Sequence, residues 1–163
     1  KRGLNDLPNR VAKRKIVGAK NVVLRRLYDR RLFIFPLKDT ELKLEFTRYP
    51  FKQLSKPFNK DGLRVDSLRD IAANKLMAIT ERFDPKDFVD LFFILKKRPL
   101  EEIRNDLERK FGLRMTQLAI GGELAKVKNI KAIPKMIRQV TIRQLKDFFE
   151  REALKLRPQV IED

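Results

Sequence analysis

Hydrophobic and polar positions change period once along this chain, and that change divides it. From Asn21 to Tyr49 the pattern suggests strands: Val22 to Leu27 and Leu32 to Phe35 flank the polar turn Tyr28-Asp-Arg-Arg31, and Leu42, Leu44 and Phe46 follow at period two. This predicts an antiparallel meander of three strands. In the third strand Lys43, Glu45 and Thr47 share the face opposite the apolar one, so Glu45 points toward solvent or a cleft. Pro50 to Val65, with Pro50, Pro57 and Gly62 and little periodicity, reads as a connecting loop.

After Val65 the period becomes 3.6. Ser67 followed by Asp70 is a capping-box variant, and Leu68, Ile71, Ala72, Leu76, Ile79 and Phe83 form one stripe. Lys75 and Arg82, two turns apart, fall beside that stripe and look inward along one edge. Asp84 as N-cap and Pro85 at N1 start a second helix. Asp87 then falls at N3, where a carboxylate serves the helix dipole. The rest of that helix is apolar nearly all round, so Asp90 is expected to be buried and to need Lys75 or Arg82 as partner.

Pro99 starts a third helix, with Leu100, Ile103, Leu107 and Phe111 at helical spacing and Gly112 as its stop. Arg114 to Lys126 is a weaker helix interrupted at Gly121-Gly122, and Thr141 to Leu156 is a last amphipathic helix ended by Pro158. The predicted architecture is α+β: a small antiparallel sheet region over residues 1–60, followed by a helical half over 61–163.

Composition narrows the chemistry. Hydrophobic residues make up 42% of the 163, with 12 Phe, enough for a core, so the 37% that are charged decorate a folded surface. The net charge of +17 favours phosphate-rich partners, with solubility alone as the plainer explanation. Clusters at Arg10 to Lys20, Arg25 to Arg31 and Lys126 to Arg143 could meet phosphates, but lack the aromatic interleaving of single-strand readers. With neither Cys nor His, chemistry must run on carboxylates, Lys, Arg, Tyr or hydroxyls. The longest apolar run, Leu91 to Leu95, is too short to cross a bilayer, so a cytoplasmic protein without a membrane partner is expected. The chain opens on Lys1 with a basic stretch of little periodicity, which reads as the inside of a longer product. No phosphate-binding Gly loop, dinucleotide fingerprint or nucleophile elbow is present.

Three blocks then carry a family likeness: Leu42-Lys-Leu-Glu-Phe-Thr-Arg-Tyr-Pro-Phe51, Gly62-Leu-Arg-Val-Asp-Ser-Leu-Arg-Asp-Ile-Ala-Ala-Asn-Lys75, and Arg82 with Lys86-Asp-Phe-Val-Asp-Leu91. Their order and spacing resemble the AbiEii/AbiGii toxin-type nucleotidyltransferases, more loosely through Pro134 and Val140 to Phe149, and so over about Leu42 to Leu156. The resemblance implies a polymerase-beta-like nucleotidyltransferase core joined to a helical half. It also implies a nucleoside triphosphate substrate, a divalent metal such as Mg²⁺, and transfer of a nucleotidyl group to an acceptor, which in some such toxins is transfer RNA. A cognate antitoxin is the implied protein partner. Position by position, Glu45 matches the acidic strand residue that completes a metal-holding carboxylate set. Lys75 matches the helix Lys near the triphosphate, Arg82 a second phosphate-facing cation, and Lys86, Asp87 and Asp90 the Lys-Asp-x-x-Asp-Leu block, whose Asp residues orient those cations. The catalytic residues so implied are Glu45, Lys75 and Asp90; those holding the nucleotide are Lys75, Arg82, Lys86 and Asp87.

Two departures qualify that implication. The family's Gly-Gly or Gly-Ser turn and Asp-x-Asp pair have no match in the 163 residues, and one carboxylate is too few for a tight Mg²⁺ site. The family's acidic residues around Leu118 to Asn129 are here Ala119-Ile-Gly-Gly-Glu-Leu-Ala-Lys126. Two other readings stand beside the enzyme. One is a non-catalytic basic module that binds RNA or an antitoxin-like protein; the other is a purely structural ion-pair network of Lys75, Arg82, Asp87 and Asp90.

Overall fold

The structure, a computed structural model, describes residues 22–157. The expected basic cluster at Arg10 to Lys20 and the helix stop at Pro158 lie outside the described residues. The chain divides after Pro50 into two compact units.

In the first unit β1 (Val23–Leu27), β2 (Arg30–Pro36) and β3 (Glu41–Thr47) form an antiparallel sheet in the order β1-β2-β3. Tyr28, at φ 47°, makes the tight turn between β1 and β2. The register aligns Leu24, Phe33 and Leu44 across the sheet. Phe33 and Phe35 are buried, and Phe46 packs edge-on against Phe33 with ring centroids 5.8 Å apart. The period-two meander expected from the sequence is therefore the one observed.

The second unit begins with a hairpin where a loop was expected. Strands β4 (Phe58–Lys60) and β5 (Leu63–Val65) pair antiparallel around Asp61-Gly62, whose φ values of 52° and 79° are both positive, as a two-residue hairpin turn requires. The Asp-Gly pair was the available signal. Phe58 and Leu63 are both exposed, so the hairpin buries no face that would impose a period.

Five α-helices follow. They are α1 (Leu68–Glu81), α2 (Pro85–Leu95), α3 (Leu100–Phe111), α4 (Gln117–Ala125) and α5 (Ile142–Leu154), with a 3-10 turn at Lys126–Asn129. Their starts follow from local chemistry. Ser67 accepts from the Asp70 N–H, Asp84 from the Lys86 N–H with Pro85 at the first position, and Thr141 and Gln144 close a full capping box. Gly112, at φ 68°, ends α3 in the left-handed conformation that an L side chain disfavours.

Helix α4 runs through Gly121-Gly122 rather than breaking there. A Cβ on Gly121 would lie 3.5 Å from both the Ala153 carbonyl oxygen and Leu156 Cβ, ordinary contact distance, so this face of α4 packs directly against the end of α5 and the turn after it. Phe83, expected on the α1 stripe, lies beyond it, because Arg82 is already extended at φ −151°. The core of this unit joins all five helices, with Leu76, Phe88, Leu107, Leu124 and Phe149 almost wholly removed from solvent. Each such side chain contributes about 1.5–3 kcal/mol of transfer free energy. The α+β architecture, small antiparallel sheets followed by a helical half, is as expected from the sequence.

Candidate functional site

The last two turns of α1 and the first two of α2 present charges to one another. Lys75 Nζ lies 2.9 Å from Asp87 Oδ1 and 2.6 Å from Asp90 Oδ2. Arg82 donates through Nε to Asp87 Oδ2 at 3.0 Å, and its Nη2 lies 3.0 Å from the same oxygen in an ion pair. Both oxygens of Asp87 are thus engaged by cations from the other helix, while its place at N3 of α2 adds the favourable end of the helix dipole. Burial acts to lower the Lys75 pKa, but the hydrogen bonds to Asp90 and Asp87 outweigh it and raise it above the ordinary lysine value. Lys75 is therefore a fixed positive charge at neutral pH, held at a defined place by two carboxylates.

The expected burial of Asp90 is corrected by the structure. Asp87 is the buried carboxylate, 1% exposed, whereas the Asp90 side chain is 49% exposed. On α2 the exposed positions Lys86 and Asp90, with half-buried Phe93, form the outward stripe, and Asp87 faces inward toward α1. A helix apolar almost all round does not disclose which of two acids one turn apart faces the core; packing against α1 decides it. Asp87→Ala is accordingly expected to cost about 1–3 kcal/mol, below the full penalty for a broken buried pair because Lys75 and Arg82 retain access to water. Asp90→Ala should cost less than about 0.5 kcal/mol. Chemical unfolding followed by far-UV circular dichroism checks the order; a larger loss for Asp90→Ala would refute it.

The remaining expected residues sit as follows. Lys86 is exposed on α2, one position before Asp87. Glu45 belongs to the sheet unit, where its half-exposed carboxylate lies 3.5 Å from Arg30 Nη1 and accepts from Thr47 Oγ1 at 3.2 Å. Among the described residues no group of three or more acidic, His or Cys side chains could hold a metal ion. The described residues thus do not by themselves fit the divalent metal that the family resemblance implies.

A second charged network was missed by the sequence reading. Lys110 Nζ on α3 lies 2.7 Å from Asp70 Oδ1 on α1, both side chains fully buried. Asp70 also accepts from the backbone N–H groups of Leu54 and Ser55 and from Ser67 Oγ. Burial pushes the Asp70 pKa up, but the bonds from Lys110, the Leu54 and Ser55 amides and Ser67 prevail and lower it to about 2. Beside it Asp106 receives Arg69 in a bidentate pair and Arg98 at 3.3 Å. The hydrogen bond to Asp106 raises the Arg69 pKa, against an opposing contribution from burial. The signal was available: Ile103, Asp106, Leu107 and Lys110 recur at 3, 4 and 7, so the stripe carries two charges. Their partners on α1, about forty positions earlier, carry no such mark.

Fold and site together describe an α+β protein whose helical unit holds cations at one edge against buried and half-exposed carboxylates. The chain belongs to the nucleotidyl transferase AbiEii toxin family of type IV toxin–antitoxin systems, whose model matches residues 5–160. It is 31% identical over 91 residues to an uncharacterized protein of Aquifex aeolicus, a match covering 54% of this chain and 44% of that protein. The matched part is thus less than half the length of that relative. No solved structure matches the chain.

Proposed function

We propose that this chain supplies the helical, triphosphate-binding part of a toxin-type nucleotidyltransferase, with Lys75, Arg82 and Lys86 meeting the phosphates. The observation that carries the reading is the placement of Lys75 between buried Asp87 and half-exposed Asp90 with Arg82 on the second oxygen of Asp87. Asp87 anchors the two cations from within, which leaves their outer faces for a ligand. Arg82, 58% exposed, keeps donors toward solvent, and a planar guanidinium beside a compact ammonium suits phosphate oxygens.

The reaction would be attack of an acceptor hydroxyl oxygen on the α-phosphorus of a nucleoside triphosphate. A new P–O bond forms, the bond to the bridging oxygen breaks, and pyrophosphate leaves. The charge that develops on the transferred and leaving groups is what fixed cations stabilise, with little covalent work for the protein. Asp90, the exposed partner of Lys75, is the carboxylate open to an incoming hydroxyl and would accept its proton as the new P–O bond forms. On this reading the protein works in the cytoplasm, where triphosphates and an RNA acceptor such as transfer RNA are at hand, and a cognate antitoxin restrains it. Among the described residues no helix is long and apolar enough to cross a membrane.

Lys75→Gln is the informative variant, because the amide can still donate to Asp87 while the charge is lost. Calorimetric titration with a nucleoside triphosphate should show affinity reduced about 10–100-fold, equivalent to roughly 1.4–2.7 kcal/mol, with the helical circular dichroism retained. Unchanged affinity in a folded Lys75→Gln protein would leave the four charges as a structural network only.

A further inference from the structure

Between Glu123 and Asp147 the chain contains no acidic residue but seven cations: Lys126, Lys128, Lys131, Lys135, Arg138, Arg143 and Lys146. All but Lys146 are exposed. Most cations in and beside α1 and α3 behave differently: Arg69, Lys75, Arg82, Arg98, Arg104 and Lys110 each face a carboxylate within 4 Å. Along the strip Lys126 pairs with Glu123, and Arg143 comes only within 3.9 Å of Asp147. Lys128, Lys131 and Lys135 have no ion-pair partner among the described residues.

The strip is nonetheless anchored. After the 3-10 turn it runs without regular secondary structure to Val140, pinned by buried Val127, Ile130 and Val140, with Ile133 and Met136 packed against the same core. Apolar anchors at intervals of three and four alternate with outward lysines. The ammonium groups are thus displayed from a backbone that packing already holds, which lowers the ordering cost of engaging a partner.

We infer that the strip from Lys126 to Lys146 is a docking track for the phosphodiester backbone of a nucleic acid. Lysines are depleted at the centres of protein–protein interfaces, and the strip offers one large, fully exposed apolar side chain, Ile137, too little for an apolar anchor cluster. Aromatic residues are absent between Phe111 and Phe148, and the Phe93 ring beside the strip is approached by Arg138 at 6.0 Å, so the strip itself contributes no stacking platform for bases. The track therefore reads charge rather than sequence, and its use does not depend on the triphosphate site proposed above.

The test compares two triple variants of equal charge loss in the full chain: Lys128→Gln/Lys131→Gln/Lys135→Gln, and the control Lys52→Gln/Lys56→Gln/Lys60→Gln at exposed positions elsewhere in the same unit. Binding of a short fluorescein-labelled RNA of mixed sequence is followed by anisotropy across a salt series, with poly-glutamate as competitor. The strip variant should bind about 10-fold or more weakly, with the log–log salt slope reduced by about 2–3, and the control should lose under about 3-fold. Equal losses in the two variants would overturn the inference, as would no loss in either. Poly-glutamate displacing the RNA at equal charge concentration would also overturn it, in favour of an acidic protein surface. If the triple variant fails to fold, Lys131→Gln alone must reduce the slope by about 0.7–0.9, and an unchanged slope counts against the track.

Discussion

Replacing Lys110 by Met is expected to destabilise the helical unit by about 3–5 kcal/mol at neutral pH, because it leaves the Asp70 carboxylate buried without its cation. Asp70 and Lys110 are both fully buried side chains 2.7 Å apart, so neither can turn to water when the other is removed. The pH dependence gives the prediction a second arm. The Asp70 pKa in the folded protein, about 2, lies below its ordinary 3.8, so its contribution is fully present above about pH 4 and is lost as pH falls toward 2. In Lys110→Met the acid is free to take up a proton, and the gap between variant and parent should narrow below pH 4. Urea unfolding read by helical circular dichroism at pH 7 and pH 3 checks both statements. A penalty that grows on acidification would show that the pair does not hold Asp70 ionised.

Truncating Phe149 to Ala should cost about 3–5 kcal/mol, the range for removing a buried aromatic ring without refilling its space. Phe149 is fully buried on α5, edge-on to Phe88 at 5.4 Å and to Phe148 at 5.2 Å. Phe88 is itself fully buried and immediately follows Asp87 on α2, so this contact links the α5 packing to the first turn of the helix that carries the site. Beyond the stability loss, the variant should therefore loosen the hold of Asp87 on Lys75 and Arg82. Under conditions where Phe149→Ala remains folded, triphosphate affinity should fall several-fold. Unaltered affinity in the folded variant would show that the first turn of α2 keeps its position without this ring contact.

Much of this protein was legible before any coordinates. The period-two run through Leu42, Leu44 and Phe46, the change to a helical period after Val65, and the starts at Ser67, Asp84-Pro85 and Thr141 are local matters. A cap satisfies N–H groups within three residues, and a strand alternates its faces whatever lies opposite. The charge cluster of the candidate site was legible in part. Lys75 and Arg82 beside the α1 stripe, with Asp87 and Asp90 opening α2, are the charges that the structure brings together.

What needed the tertiary structure was every choice that depends on how one helix is rotated against another. Asp87 rather than Asp90 is buried because α1 directs two cations at it, a fact outside the α2 sequence. Asp70 and Lys110 find each other across forty positions through the packing of α1 on α3, and no periodicity within either helix pairs them. Gly121 reads locally as a helix breaker, and only the packing of the fourth helix, where a Cβ at this position would meet Ala153 and Leu156 at ordinary contact distance, keeps the helix running through it. The hairpin at Asp61-Gly62 escaped for the opposite reason, since both its large apolar residues face solvent and the pattern had nothing to register. Local hydrogen bonding and side-chain alternation are written into neighbouring residues; burial of charge and close approach of backbones are properties of pairs of elements, settled only when the elements pack.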